Sequence, residues 1–217
     1  MRPPNHDTCT TLYPALHRYL KARLAESGLI STERRKALES VSAYASAKVG
    51  SGEPARLTFI CTHNARRSQI AQIWAQTTAR FLGVPGISAY SGGTEVSAFD
   101  PRAVSALVRA GFRIERSSTG DNPVYLVHSG AELPPVRAFS KNFLDPANPR
   151  DHFCAVLTCS DADRICPAVY GADKRILVPY KDPRSSDGTD RETDTYDERC
   201  REISREMGWL FERVGIA

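Results

Sequence analysis

From Arg56 onward the chain alternates short apolar runs with longer amphipathic ones, and this alternation restricts the fold more than any other feature. "RLTFI" at 56–60, "ISAYSGG" at 87–93, "HFCAVLTC" at 152–159 and "RILVPY" at 175–180 read as strands. Between the first two, "SQIAQIWAQTTARFL" puts Ile70, Ile73, Trp74 and Phe81 on one helical stripe. "DPRAVSALVRAGF" begins with Asp–Pro and stops at Gly111, as a helix does. "TYDERCREISREMGWLFERVG" makes a closing helix with Ile203, Met207, Leu210, Phe211 and Val214 inward. Strands interleaved with helices predict an α/β fold, a parallel sheet with helices on both faces. "NPVYLVHSGAELPPVRAFS" interrupts the pattern and is expected to form a hairpin with a loose turn, inserted near 123–140.

Ahead of this unit, Leu12, Leu16, Leu20 and Leu24 recur every four residues, and Gly28 closes the run. Ser31 is placed to cap a second helix whose Ala37, Leu38, Val41, Tyr44 and Ala45 share a face. "GSGEP" at 50–54 is a linker signal. Residues 1–52 therefore read as a helical extension with its linker, and 53–217 as the main domain. The extension shows no chemistry of its own. It is expected to pack on the main domain, or to serve self-association or a partner.

An apolar fraction of 41% with 25% charged residues is globular. No apolar run approaches the roughly 20 residues that cross a bilayer, so no membrane partner is expected. No signal-type stretch opens the chain, which predicts a cytoplasmic protein with free thiols. The six cysteines include no C-x-x-C pair and no paired histidines accompany them, so no structural zinc site is expected, and the reading as a whole calls for no metal or organic cofactor. A net charge of +4 suits an anionic substrate or equally a plain soluble protein, and is too modest to point to nucleic acid as partner.

The first strand ends in "FICTHNARRS" at 59–68. Ligands of parallel sheets sit beyond the carboxyl ends of strands, and Cys61 stands at such an end. The turn from Cys61 into the next helix aims several peptide N–H groups inward, which with the helix N-terminus binds a tetrahedral oxyanion. Thr62, His63, Asn64, Ala65, Arg66 and Ser68 are the candidate oxyanion-binding residues. Asn64 tolerates the left-handed backbone such a cradle needs. Arg67 grips two oxygens through its planar fork, whereas the Arg66 side chain is expected to point away from the anion. The same field favours a Cys61 thiolate, and Ser68 is placed to donate to it.

Transfer from an ester needs a carboxylic acid to protonate the leaving oxygen. Three Asp–Pro pairs compete. Asp100 suits a helix cap, and Asp145 lies in a polar loop without strand support. Asp182 follows "RILVPYK" and so falls just past a strand on the active face, which makes it the candidate acid. In "LTCSDADRICPAVYG", Cys159 and Cys166 are seven positions apart. On a helix that is a rise of about 10.5 Å, too far for a disulfide unless the helix unwinds. Spacing alone fits two unrelated buried cysteines better than a redox pair. Cys9, Cys154 and Cys200 read as uninvolved.

"CTHNARRS" resembles the phosphate loop of the low-molecular-weight protein tyrosine phosphatases and their relatives, the thioredoxin-coupled arsenate reductases. "CSDADRICP" resembles the resolving-cysteine segment of those reductases, and the two segments together are more specific than either. The resemblance spans roughly residues 56 to 217 and implies a three-layer sandwich around a four-stranded parallel sheet, plus the N-terminal helical extension. It also implies a late Asp–Pro acid, which favours Asp182. "DPRSSDG" lacks the aromatic residues that often follow that pair in the phosphatases. The implied activity is arsenate reduction: Cys61 attacks arsenate, Cys159 attacks Cys61, and Cys166 attacks Cys159. Thioredoxin is the implied reductant of the last disulfide. The alternative is a phosphatase working through a phosphocysteine.

Overall fold

A computed structural model describes residues 12–165 and 168–215, so Cys9 and Cys166 lie outside the described residues. Four parallel strands form the central sheet in the order β2-β1-β6-β7: β1 (Ala55–Cys61), β2 (Ile87–Gly93), β6 (Phe153–Leu157) and β7 (Ala172–Leu177). A second sheet is antiparallel, built from β3 (Arg113–Arg116), β4 (Tyr125–His128) and β5 (Val136–Ala138). Six α-helices complete the described residues: α1 (Pro14–Leu24), α2 (Thr32–Gly50), α3 (Arg67–Phe81), α4 (Pro101–Ala110), α5 (Ser160–Ile165) and α6 (Glu192–Phe211). The architecture is α/β, as expected.

Alternation along the strands sorts the core onto two faces. Leu57, Phe59, Cys154 and Val156 join the large cluster that includes Trp74, Tyr196 and Phe211. Ile60, Ala155 and Leu157 face the smaller one with Cys61, Cys159, Ala162 and Val169. The extension belongs to the large cluster: Leu16, Leu20, Leu38 and Val41 are fully buried there. Ser31 caps α2 by accepting the Arg34 amide at 3.2 Å. Asp100 caps α4, and Gly111 ends it at a left-handed φ of 110°.

Two readings shift. The expected hairpin is present as β4 and β5, but β3 pairs with β4 as a third strand. Its "RIER" has a largely exposed pattern, too polar to read as a strand alone. The last strand begins at Ala172, earlier than "RILVPY", since polar Asp173 and Lys174 lie on the sheet's open edge. No helix of the described residues is long and apolar enough to cross a membrane.

Candidate active site

The turn between β1 and α3 is fixed from outside. The carbonyl of Cys61 accepts Thr94 N–H, that of Thr62 accepts Glu95 N–H at 2.8 Å, and that of Ala65 accepts Asp100 N–H at 3.0 Å. The His63 carbonyl accepts the Ser140 hydroxyl at 2.8 Å, and the Asn64 carbonyl accepts Gln69 Nε2. In a peptide plane the N–H opposes the C=O, so five outward carbonyls turn the amides of 62–66 inward. Among the described residues those amides meet no protein acceptor. The result is a nest suited to an oxyanion.

Asn64 has φ 47° and is fully buried. Its Oδ1 accepts the Lys141 amide at 3.0 Å, while its Nδ2 donates to Ser68 Oγ at 2.8 Å. Ser68 Oγ stands 3.1 Å from Cys61 Sγ. Because Ser68 already accepts from Asn64, its own hydrogen is left for the sulfur. The Asn64–Ser68–Cys61 chain therefore delivers one donor to the Cys61 sulfur. Gly93, beside this turn, has a steric reason. A Cβ there would lie 2.6 Å from the carbonyl oxygens of both Thr62 and Glu95.

Cys61, His63, Ala65, Arg66, Arg67 and Asp182 line one small cleft. Arg67 Nη2 pairs with Asp182 Oδ2 at 2.8 Å, and its Nη1 donates to the Tyr180 carbonyl at 3.3 Å. Arg66 also lines the cleft. Its Nε meets Asp182 Oδ1 at 2.9 Å and its Nη1 meets Asp100 Oδ2 at 3.0 Å, so its fork is divided between two carboxylates. Burial pushes the Asp182 pKa up, but Arg67, the Arg184 amide and Arg66 outweigh it and hold the carboxyl below its ordinary range. His63 stands at the rim, 3.2 Å from Glu95.

Cys159 lies two residues beyond the end of β6, the strand beside β1. It is buried in the same apolar cluster as Cys61. Its Sγ is 3.6 Å from Thr62 Oγ1 and accepts the Ala162 amide at 3.3 Å. The helix expected around it is the short α5, which begins just after it. The third candidate, Cys166, lies outside the described residues. Burial raises both Cys154 and Cys200 to about 12, which keeps them protonated and inert.

Of the other Asp–Pro carboxylates, Asp145 closes an exposed turn on Ala147 and is not among the residues lining the cleft. Asp100 does more than cap a helix, since it also anchors Ala65 and Arg66. Gln69, Ser140 and Lys141 support the loop without an evident sequence signal. Gly93 had one, the Gly–Gly that ends β2. A separate cleft of about 850 Å³, lined by Lys181, Ser186, Asp194 and Arg199 among others, holds none of the site residues. Among the described residues no group of three or more His, Cys, Asp or Glu side chains is placed to hold a metal ion.

This loop ends the first strand of a four-stranded parallel sheet, with its amides turned inward in an arrangement suited to an oxyanion. Residues 56–121 match the family model described as low molecular weight phosphotyrosine protein phosphatase. A low molecular weight protein tyrosine phosphatase from Bacillus subtilis shares the fold at TM-score 0.50 and 18% identity, covering 73% of this chain and 95% of that one. A YwlE mutant from the same organism also gives 0.50, at 16% identity over 73% and 97%. Curated relatives carry a narrower name. The arsenate reductase of Bacillus licheniformis is 27% identical over 72% of this chain and 94% of its own length, and that of Bacillus subtilis 28% over 66% and 85%. The chain resembles the low-molecular-weight phosphatase superfamily, and these relatives within it are arsenate reductases.

Proposed function

We propose that the chain is an arsenate reductase working through a three-thiol relay. The carrying observation is Cys159, buried in one apolar cluster with Cys61 and in contact with Thr62, the next residue. A phosphatase has no need of a second thiol there. In this reading the loop amides and Arg67 hold arsenate while the Cys61 thiolate attacks arsenic, and an oxygen leaves as water. Cys159 then attacks Cys61 Sγ. The electron pair of the S–As bond stays with arsenic, so arsenite departs and a Cys61–Cys159 disulfide remains. Cys166 attacks Cys159 and passes the oxidation to a Cys159–Cys166 disulfide, which thioredoxin reduces. Free thiols of this kind suit the reducing cytoplasm, where we place the protein.

A second reading, a phosphatase acting through a phosphocysteine, is favoured by Asp182 at the cleft, where an acid would serve an ester oxygen. The separating experiment supplies the purified chain with arsenate, thioredoxin, its reductase and NADPH, and compares arsenite formed with hydrolysis of an aryl phosphate. Sustained arsenite production supports the reductase. Hydrolysis without arsenite gives the phosphatase.

A further inference from the structure

We infer that Arg34, on the N-terminal extension, is a positioning residue for the segment that carries Asp182. Its Nε and Nη2 take both oxygens of Glu206 on α6, at 2.7 and 2.9 Å. Its Nη1 donates to the Pro179 carbonyl at 3.0 Å, and its guanidinium lies 4.5 Å over the Tyr180 ring. One arginine thus fixes a helix, a backbone carbonyl and an aromatic face. Glu206 is 4% exposed and Arg34 17%, so the pair is held in a low-dielectric setting where its geometry is stiff.

What the clamp holds leads straight to the chemistry. Tyr180 N–H donates to the Thr158 carbonyl at 3.0 Å, immediately before Cys159. The Tyr180 carbonyl receives Arg67 Nη1, and Asp182 two residues on receives Nη2. Tyr180 therefore joins the extension to the loop arginine, the candidate acid and the approach to the second thiol. The family-model match begins only at residue 56, after α2. Arg34 and its partners at 179, 180 and 206 all lie outside this matched segment, 56–121. A carboxylate misplaced by even an ångström loses much of its effect on a reacting oxygen, so loosening 179–182 should slow turnover more than it weakens binding.

The inference rests on the acid role given to Asp182 in the phosphatase reading and on the thiol role given to Cys159 in the reductase reading, and its test is built so that these and the clamp can fail separately. Arg34→Met alone leaves Glu206 buried and unpaired, which threatens folding. The deciding variant is the full chain with Arg34→Met and Glu206→Gln together, with Arg34→Lys as the conservative comparison. Amide hydrogen exchange reads the segment 178–187, with α3 as internal reference, and steady-state kinetics read kcat and KM for aryl-phosphate hydrolysis, where Asp182 would act as acid, and for arsenate. In the double variant, exchange of 178–187 is expected to quicken and kcat to fall, each roughly tenfold, with α3 unchanged and KM moving less. Arg34→Lys should recover part of both. A folded double variant with parent exchange and parent kcat overturns the inference, as does a loss spread evenly through α3. If the parent forms no arsenite, the functional reading fails, and the exchange comparison alone decides the clamp.

Discussion

Arg67 Nη2 and Asp182 Oδ2 are joined at 2.8 Å, so the arginine suited to an oxyanion is held by the carboxylate suited to act as acid. The carboxyl is held below its ordinary range, so without a ligand it is charged and competes with any anion for the fork, and it can act as an acid only by taking up a proton once an anion has drawn Arg67 away. Asp182→Asn should therefore bind phosphate more tightly, by roughly tenfold, the order of one charged hydrogen bond regained. The same variant should hydrolyse esters with poor leaving groups more slowly than the parent. Calorimetry with inorganic phosphate checks the first effect, and weaker binding in Asp182→Asn would contradict the competition.

Arg67→Lys keeps the charge and loses the fork. Oxyanion affinity should fall roughly ten- to hundredfold. Arg66 is spent on Asp100 and Asp182. Arg66→Lys should disturb the placement of Asp182 but leave phosphate affinity within a few-fold of the parent. Equal losses in phosphate titrations of the two variants would mean that the anion sits on the wrong arginine in this account.

Ser68 receives from Asn64 and has one hydrogen for Cys61. Ser68→Ala removes that donor from a fully buried site. Alkylation of Cys61 by limiting iodoacetamide at pH 7 should slow by roughly tenfold, the order of one charge-assisted bond. Phosphate should protect Cys61 in the parent. Peptide mapping reads both, and labelling of Cys61 at parent rate in Ser68→Ala would remove the hydroxyl from the account.

How much of this was legible in the chain follows from where the signals are local. β1, α3 and α6 were readable because their apolar spacing is strong and each has one dominant partner surface. The loop was readable for the same reason: Cys61, Asn64, Arg67 and Ser68 sit within eight residues. β3 was not, because its strand character comes from pairing with β4 and not from its own side chains. The carboxylate partners of Arg66 were not legible, because Asp100 and Asp182 are 34 and 116 positions away. The proximity of Cys159 to Thr62 is likewise long-range, set by β6 lying beside β1.

Cys154 and Cys200 give the chain a pH signature. Burial raises both to about 12, above the ordinary thiol value. The folded state thus binds these protons more tightly than the unfolded one. Their stabilising effect is complete below the unfolded thiol pKa, near 8.5, and is lost as pH rises toward 12. Buried Lys141, pulled down by burial to about 8, works in the opposite sense over part of that range, so a difference measurement is needed. Cys154→Ala with Cys200→Ser, which keeps an acceptor for the Trp74 Nε1–H, should lose less stability than the parent between pH 8.5 and 10.5. Parallel urea-melt profiles for the two proteins would contradict this.

The relay is tested most directly by trapping its first disulfide. Cys166→Ser should form about one arsenite per chain in a rapid-quench experiment and then stall. Mass-spectrometric mapping of the stalled protein should show Cys61 joined to Cys159, and Cys159→Ser should form no arsenite while keeping phosphate binding. Arsenite formation by Cys159→Ser at the parent rate, or a stalled Cys166→Ser protein with both Cys61 and Cys159 free, would contradict the account.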